Sequence, residues 1–315
     1  MSPAPTGEAV GALRSARLRR LPTEPGPVWI VGGAGNETNE QLAARWRAAG
    51  LDARMVAPHL APERLAEGDV AIARIDVRRS VDGIEPGLLA LLELLHLGVR
   101  VVNPPAAILA AHDKLRTARA LAAAGLPHPR TAHLRPDGPV PLPPPLVVKP
   151  RFGSWGTDVF RCLTHGEVVR TVGLLSRRPW FRRHGAVVQE LVPNAGHDLR
   201  VLVAGGRVVG ADRRVARSGE WRTNVSLGAV ELPAQPSAGA AALAVAAVES
   251  VGGDLFGVDL LPVRGGYVVL EVNAAVEFDD LYSLYDRDVY VDAAAALDLL
   301  PLAVPAPRPV ALGSV

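Results

Sequence analysis

The segment from Phe256 to Asn273 constrains this chain more than any other. It reads Phe-Gly-Val-Asp-Leu-Leu-Pro-Val, then Arg264-Gly265-Gly266, then Tyr-Val-Val-Leu-Glu-Val-Asn. Two β-rich runs around a glycine turn make a β-hairpin. If Val263 and Tyr267 close a three-residue loop, Asp259 stands opposite Glu271, and strand alternation puts Asn273 on the face of Glu271. Two carboxylates and an amide oxygen on one face form a hard oxygen cluster suited to Mg²⁺. A two-residue loop would turn Asp259 to the other face, because a one-residue slip inverts a strand. Val258, Leu260, Val269, Leu270 and Val272 surround the polar groups closely. Both strands are therefore expected to be largely buried, where carboxylates need partners. A metal ion is a sufficient partner.

With 315 residues the chain is long enough for two or three small domains. Its composition is 49% hydrophobic, driven by Ala, Val and Leu, which is globular and not disordered. A net charge of +2 carries no nucleic-acid footprint. The basic residues Arg14, Arg17, Arg19 and Arg20 read as a solvated tail. Residues 1–27 lack the long apolar core of a signal peptide. No apolar segment is long and uninterrupted enough to span a bilayer. The Ala-rich run 238–248 has helical periodicity and reads as a packed helix. A cytoplasmic protein that binds neither nucleic acid nor membrane is expected, with homo-oligomerisation open. The single Cys162 excludes an intrachain disulfide and a cysteine zinc site, and reads as structural.

Along the chain, strands at 28–31, 53–56, 70–73 and 99–103 alternate with helices at 37–49 and 86–97. Alternation of this kind makes a small parallel α/β domain. The run Gly32-Gly33-Ala34-Gly35 lacks the third glycine of a dinucleotide fingerprint, and Glu37 would sit against the pyrophosphate. A nicotinamide site there is therefore disfavoured. A second unit begins near Pro104. His112-Asp113-Lys114 opens a helix that runs to Ala124, and a Pro-rich connector at 136–145 leads to a buried strand ending at Lys149. A glycine-punctuated loop at 150–157 follows, with a strand at 159–161. Runs at 187–192, 198–203 and 207–210 read as a β-meander that opens a third unit. Helices are expected at 237–251 and 289–300.

A second constellation lies in the middle of the chain. Lys149 before a loop with free amides at Gly153 and Gly156 is a phosphate cradle without a helix, and it does not match the P-loop spacing. Gln189-Glu190-Leu191-Val192 closes a strand whose edge suits an adenine and a ribose. Gly196-His-Asp198-Leu-Arg200 puts an acid and a base on one face of the next strand. Taken with Asp113-Lys114-Leu115, Asn224, Gly257-Val-Asp259 and Glu271-Val-Asn273, this ordered set resembles an ATP-grasp ligase of the RimK type over roughly residues 28–300.

The resemblance implies a mixed α/β (α+β) ATP-grasp fold with an N-terminal parallel α/β pre-ATP-grasp domain. The divisions it suggests are a tail at 1–27, the pre-ATP-grasp domain at 28–104, a central lid region at 105–186, a C-terminal core at 187–303 and a tail at 304–315. It implies ATP and two Mg²⁺ ions, with Mn²⁺ as a substitute. By position, Lys114 and Lys149 would contact phosphates, with Gly153, Ser154 and Gly156 in the loop. Gln189, Glu190, Leu191 and Val192 would hold the adenine, and Asp198 the ribose. Asp259, Glu271 and Asn273 would hold the metals, Arg200, Arg213 and Arg222 would face the phosphoryl group or an acidic substrate, and Asn224 would touch substrate.

The implied reaction is carboxylate–amine ligation through an acyl phosphate. It would add an acidic amino acid such as glutamate to a carboxylate on a peptide, a carrier protein or a small metabolite. The sequence departs from the protein-glutamate ligases after Asn273, where Ala274-Ala-Val-Glu277-Phe278 replaces their Pro-Gly. It departs from the carrier-dependent ligases after Asn224, so the amino-acid substrate does not transfer from either branch. D-alanine-type ligation, carboxylation, or a non-catalytic nucleotide-binding module are the alternatives. The last would be expected to lack a metal ligand, yet all three positions are filled.

Overall fold

In the computed structural model, which describes residues 26–76, 86–193 and 195–300, three sheets organise the described residues. The first sheet carries β1 (Val28–Gly32), β2 (Ala53–Val56), β3 (Val70–Arg74) and β4 (Arg100–Val102), all parallel, in the order β2-β1-β3-β4. Every residue of β1 is buried, as in a strand covered on both faces. The covering helices are α1 (Glu37–Ala48), α2 (Ala61–Arg64) and α3 (Leu88–His96). α1 starts at Asn36, whose side chain accepts from the Asn39 amide and meets one of the donors a helix start leaves open.

Two helices, α4 (Pro105–His112) and α5 (Lys114–Ala123), lead into the second sheet. It contains β5 (Thr131–Leu134), β6 (Leu146–Pro150), β7 (Phe160–Cys162) and β8 (Ala186–Glu190), antiparallel, in the order β5-β8-β6-β7. Helices α6 (His165–Leu175) and α7 (Pro179–His184) close its core around Leu146, Val148, Phe181 and Val188. Cys162 is fully buried in that core, with Sγ 3.4 Å from Thr171 Oγ1.

The third sheet is antiparallel, in the order β11-β10-β9-β12-β13. Its strands are β9 (His197–Ala204), β10 (Arg207–Val215), β11 (Val230–Pro233), β12 (Leu255–Val263) and β13 (Gly266–Asn273). One face is apolar: Leu199, Val201, Val258, Leu260 and Val272 pack with Ala244 and Val248 of α8 (Ala238–Val251). The opposite face carries the charged residues. The last helix, α9 (Val289–Ala296), ends earlier than expected, at Leu297, and packs with α1. Trp46 of α1 donates to the Tyr290 carbonyl at 2.8 Å across that contact.

Two further expectations change. The run at 187–192 does not begin the meander: β8 bonds to β5 and β6, so it belongs to the central sheet and not to the C-terminal core. The hairpin turn between β12 and β13 holds two residues and not three, since Val263 pairs with Gly266. A β-bulge then restores what the short turn removes. Leu260 pairs with Val269, but Asp259 pairs with Glu271, leaving Leu270 as the extra residue. The tails at 1–25 and 301–315, with the basic run from Arg14, lie outside the described residues.

Asn103, directly after β4, is fully buried and joins the first sheet to the third. Its Nδ2 donates to the Leu255 and Ala274 carbonyls at 2.9 and 3.2 Å. Its Oδ1 accepts from the Asp254 and Leu255 amides at 3.0 and 2.7 Å. Asn103→Ala strands all four backbone groups. A loss of roughly 3 kcal/mol or more in urea unfolding is expected, given about 1 kcal/mol or more per unmet buried group. A loss below about 1 kcal/mol would show that this junction does not depend on the side chain.

Candidate active site

Four strands of the third sheet contribute one row of directly opposed residues: Asp212, Arg200, Asp259 and Glu271. Arg200 forks onto Asp259, with Nε to Oδ1 at 2.7 Å and Nη2 to Oδ2 at 3.0 Å. Two residues along each strand, Arg214 faces Asp198 and donates from Nε to Oδ1 at 2.9 Å. Arg214 Nη2 also lies 2.9 Å from Asp259 Oδ2. Thr223 Oγ1 donates to Asp198 Oδ2 at 2.6 Å. Asp198, Arg214 and Asp259 are all buried. Burial pushes the Asp259 carboxyl up, but Arg200 and Arg214 more than offset it and hold it well below the usual carboxylate range. Burial likewise penalises the Arg214 charge, and Asp259 and Asp198 hold its pKa above the ordinary value.

Two lysines enter from the other side of the cleft. Asp113 caps α5 by accepting from the Leu115 amide, and it takes a forked bond from Arg151 with Nε at 2.8 Å. That cap fixes Lys114 as the first residue of the helix. Lys114 Nζ lies 2.9 Å from Glu271 Oε1 and also donates to the Gly153 carbonyl. Lys149, on β6, is buried and donates to Gln189 Oε1 on β8 at 2.8 Å. Gln189 Nε2 in turn donates to Thr131 Oγ1 at 2.9 Å. Burial pulls the Lys149 ammonium down to about 8, against the nearby Glu271 charge, and Lys114 adds to the fall.

The glycine loop lies over this cluster. Gly156 has φ +70, and a Cβ there would meet Asn224 Oδ1 at 2.8 Å and Leu227 at 3.0 Å. Glycine is thus required where the loop passes the segment between β10 and β11. Arg222 of that segment donates to the Gly156 carbonyl at 3.0 Å and forks onto Glu220 at 3.0 and 2.9 Å. Ser226 Oγ donates to the Trp155 carbonyl at 3.1 Å. The Arg222 fork and amide bonds hold the Glu220 carboxyl down at about 2.

Between the second and third sheets these groups enclose a cleft of about 270 Å³. Most of the expected residues line it: Lys114, Lys149, Gly153, Ser154, Gly156, Gln189, Glu190, Leu191, Val192, Asp198, Arg222, Asn224, Asp259 and Glu271. Glu190 also pairs with Arg130 at 3.1 Å. Three expected residues are placed elsewhere. Arg213 is exposed, on the face of β10 opposite Arg214, because the strand alternates there. Arg214 holds the buried position in its stead. Arg200 reaches the cleft only through Asp259. Asn273 lies two residues past Glu271, opposite Gly257, and its Nδ2 is buried with no partner among the described residues. Arg161, not among the expected residues, also lines the cleft, with its guanidinium 5.7 Å from the Trp221 ring centroid.

The donor set fits a divalent cation. Asp259, Glu271 and the Asn273 amide offer hard oxygens, and side-chain cations already meet both carboxylates. Among the described residues no three His, Cys, Asp or Glu side chains gather to hold a metal ion, so this candidate set has only two carboxylates beside the Asn273 amide. Among those residues, too, no helix is long and apolar enough to cross a membrane.

A family model described as a RimK-like ATP-grasp domain matches residues 111–297. A probable alpha-L-glutamate ligase of Xanthomonas axonopodis pv. citri (strain 306) is 34% identical over 214 residues, which cover 64% of this chain and 70% of the relative. A solved RimK domain protein ATP-grasp from Sphaerobacter thermophilus DSM 20745 superposes with a TM-score of 0.61 at 22% identity, over 87% of this chain and 99% of that one. The ATP-grasp ligase PsnB, solved with minimal precursor, Mg and ADP, gives a TM-score of 0.61 at 19% identity, over 86% and 98% of the two chains.

Proposed function

The chain belongs to the RimK-like ATP-grasp family of ATP-dependent ligases, and on that footing we propose that it joins the amine of an acidic amino acid, glutamate foremost, to a carboxylate on a peptide, a carrier protein or a small metabolite. The observation that carries the reading is the convergence of Lys114, Lys149, Asp259 and Glu271 on one cleft under a glycine loop. ATP-grasp ligases use ATP and Mg²⁺, which supply the phosphoryl group and the positive charge that stabilises its transfer.

The residues divide the work as follows. Asp259, Glu271 and Asn273 would hold Mg²⁺, two ions in the full complex, with Mn²⁺ able to replace them. Lys149 and Lys114 would hold the phosphates, and the amides of Gly153, Ser154 and Gly156 would cover them. Gln189 to Val192 would frame the adenine, and Asp198 would accept from the ribose. Asn224 and Arg222, both close against Gly156, would orient the acceptor beneath the loop. A substrate carboxylate oxygen takes the terminal phosphoryl group and ADP leaves. The amine then attacks the acyl carbon, phosphate leaves, and one proton is lost. No enzyme nucleophile is needed, in keeping with the core position of Cys162.

Support for an acidic substrate is narrower than the arginine count suggests. Arg200 and Arg214 are matched by Asp259 and Asp198, Arg222 by Glu220, and Arg213 is turned away. Arg161 is a further cation on the cleft wall, and the relative's name adds weight to glutamate. The test is ADP release by the purified protein across amino acids paired with acidic peptides, with products read by mass spectrometry. Release with glutamate or aspartate and an added-residue product is expected. Release confined to neutral or cationic amino acids would overturn the acidic assignment, and release with bicarbonate alone would point to carboxylation.

A further inference from the structure

The row of opposed residues across the third sheet is asymmetric. Arg200 stands between two carboxylates, Asp212 on β10 and Asp259 on β12, each directly opposite it on a neighbouring strand. Directly opposed side chains on antiparallel strands have Cβ atoms about 4.5–5.5 Å apart, so a guanidinium in the middle can reach either side. Yet the fork goes wholly to Asp259. Both Asp212 oxygens are buried and have no hydrogen-bond partner among the described residues. A buried carboxyl left unpaired is costly and calls for a physical reason. Burial pushes it up to about 7, although Arg214 and Arg200 pull the other way. Glu231 adds to the rise, and the Tyr282 hydroxyl lowers it without a well-formed hydrogen bond.

We infer that Asp212 is the alternate acceptor for Arg200: when a divalent cation takes the Asp259 carboxylate, the Arg200 fork passes across the strand to Asp212. This rests on reading the cleft as a metal–nucleotide site. Asp212 is then a positioning residue, acting on the metal through Arg200 and touching neither substrate nor metal. The charge balance argues for the exchange. A cation at Asp259 repels the guanidinium bound there, and a mostly buried guanidinium, its side chain 17% exposed, with no acceptor would oppose metal binding. Asp212 lies on the same face one strand away, so side-chain rotation suffices and the strand register is kept. Arg214 keeps Asp198 as its partner throughout. After the exchange every charge in the row is paired, including the one carboxyl that was not.

The test compares nucleotide binding with and without metal. Calorimetry of the full chain with a non-hydrolysable ATP analogue, in Mg²⁺ and in EDTA, gives the gain in affinity due to the metal. In Asp212→Asn that gain should shrink by about tenfold or more, the worth of one charge-assisted hydrogen bond, while affinity in EDTA is unchanged. A merely structural Asp212 would lower both affinities in parallel, which would overturn the exchange. A crystal structure of the unaltered protein with Mg²⁺ and the analogue is a second test, independent of how the variant folds. Arg200 within hydrogen-bonding distance of Asp212 is expected, and Arg200 still forked on Asp259 would overturn the inference. A full metal-dependent gain in the variant would sink the exchange alone and leave the ligase reading standing. Absence of metal-dependent binding in the wild type would sink both.

Discussion

Glu271→Gln is expected to abolish ADP formation in a protein that remains folded. The substitution keeps the shape of the side chain and removes one negative charge from the row that faces the cleft. Metal binding by hard oxygen donors depends on that charge, and an amide oxygen is a far poorer partner for Mg²⁺. Loss of one preorganised electrostatic contact typically costs about 10²–10³ in turnover, and loss of a metal ion more. A fall of at least about 10³ is therefore expected. Folding should be little affected. The Lys114–Glu271 pair is mostly buried, at 12% and 23% exposure for the two side chains, but Lys114 keeps the Gly153 carbonyl and the glutamine still offers a neutral acceptor. Circular dichroism and urea unfolding check the fold, and a coupled assay checks ADP. Near-normal turnover in a folded variant would reject Glu271 as a metal ligand.

The position of Glu271 shows how far a sequence of this kind can be read. The hairpin, its polar residues and their shared face were all legible. The turn length was not, and the correct pairing of Asp259 with Glu271 came from a cancellation. A two-residue turn without a bulge would have set Leu270 opposite Asp259 and sent Glu271 to the apolar face. The bulge at Leu270 puts both Leu270 and Glu271 on the cleft wall. The same physics decides between Arg213, which the resemblance pointed to, and Arg214. Ala204 pairs with Arg207 across the Gly205-Gly206 turn, and an unbulged strand would bring Arg213 opposite Asp198. A register shift between Val208 and Gly210 moves every later residue by one, so Arg214 takes that place. Bulges leave no reliable periodic signature, because one extra residue costs little and is fixed by long-range packing.

Other features were hidden for different reasons. β8 reads as a strand in sequence, but its partners β5 and β6 are distant along the chain, and nothing local says which sheet it joins. α6 was not among the expected helices, although Thr164 and Glu167 form a capping box at its start. Asp212 was passed over because its significance lies in having no partner, which only the packed structure reveals. The ordered motif set told the family and most of the cleft lining. The partners that neutralise each arginine were beyond it.

Lys149→Met should weaken ATP binding by roughly ten- to a hundredfold, the worth of a charge-assisted contact to phosphate, yet leave the ligand-free protein as stable as the wild type or more so. The reason is the environment of the ammonium group. Burial lowers its pKa from 10.5 to about 8, so the unfolded chain holds this proton more tightly than the folded one does. Stability contributed by this group therefore rises with pH between about 8 and 10.5, and the whole penalty is present below about 8. A fall of that size corresponds to roughly 3 kcal/mol at neutral pH. The lost hydrogen bond to Gln189 offsets about 1 kcal/mol of the gain. Urea unfolding at pH 7 should show a gain of roughly 2 kcal/mol for Lys149→Met that disappears above about pH 10.5. Calorimetry should show the loss of nucleotide affinity in the same protein. A phosphate would explain both results, because a bound anion returns the stabilisation that burial removes from the ammonium and makes the resting strain useful only when ATP is present. A variant that is less stable at pH 7 and binds ATP as well as the wild type would make Lys149 a structural residue and remove it from the site.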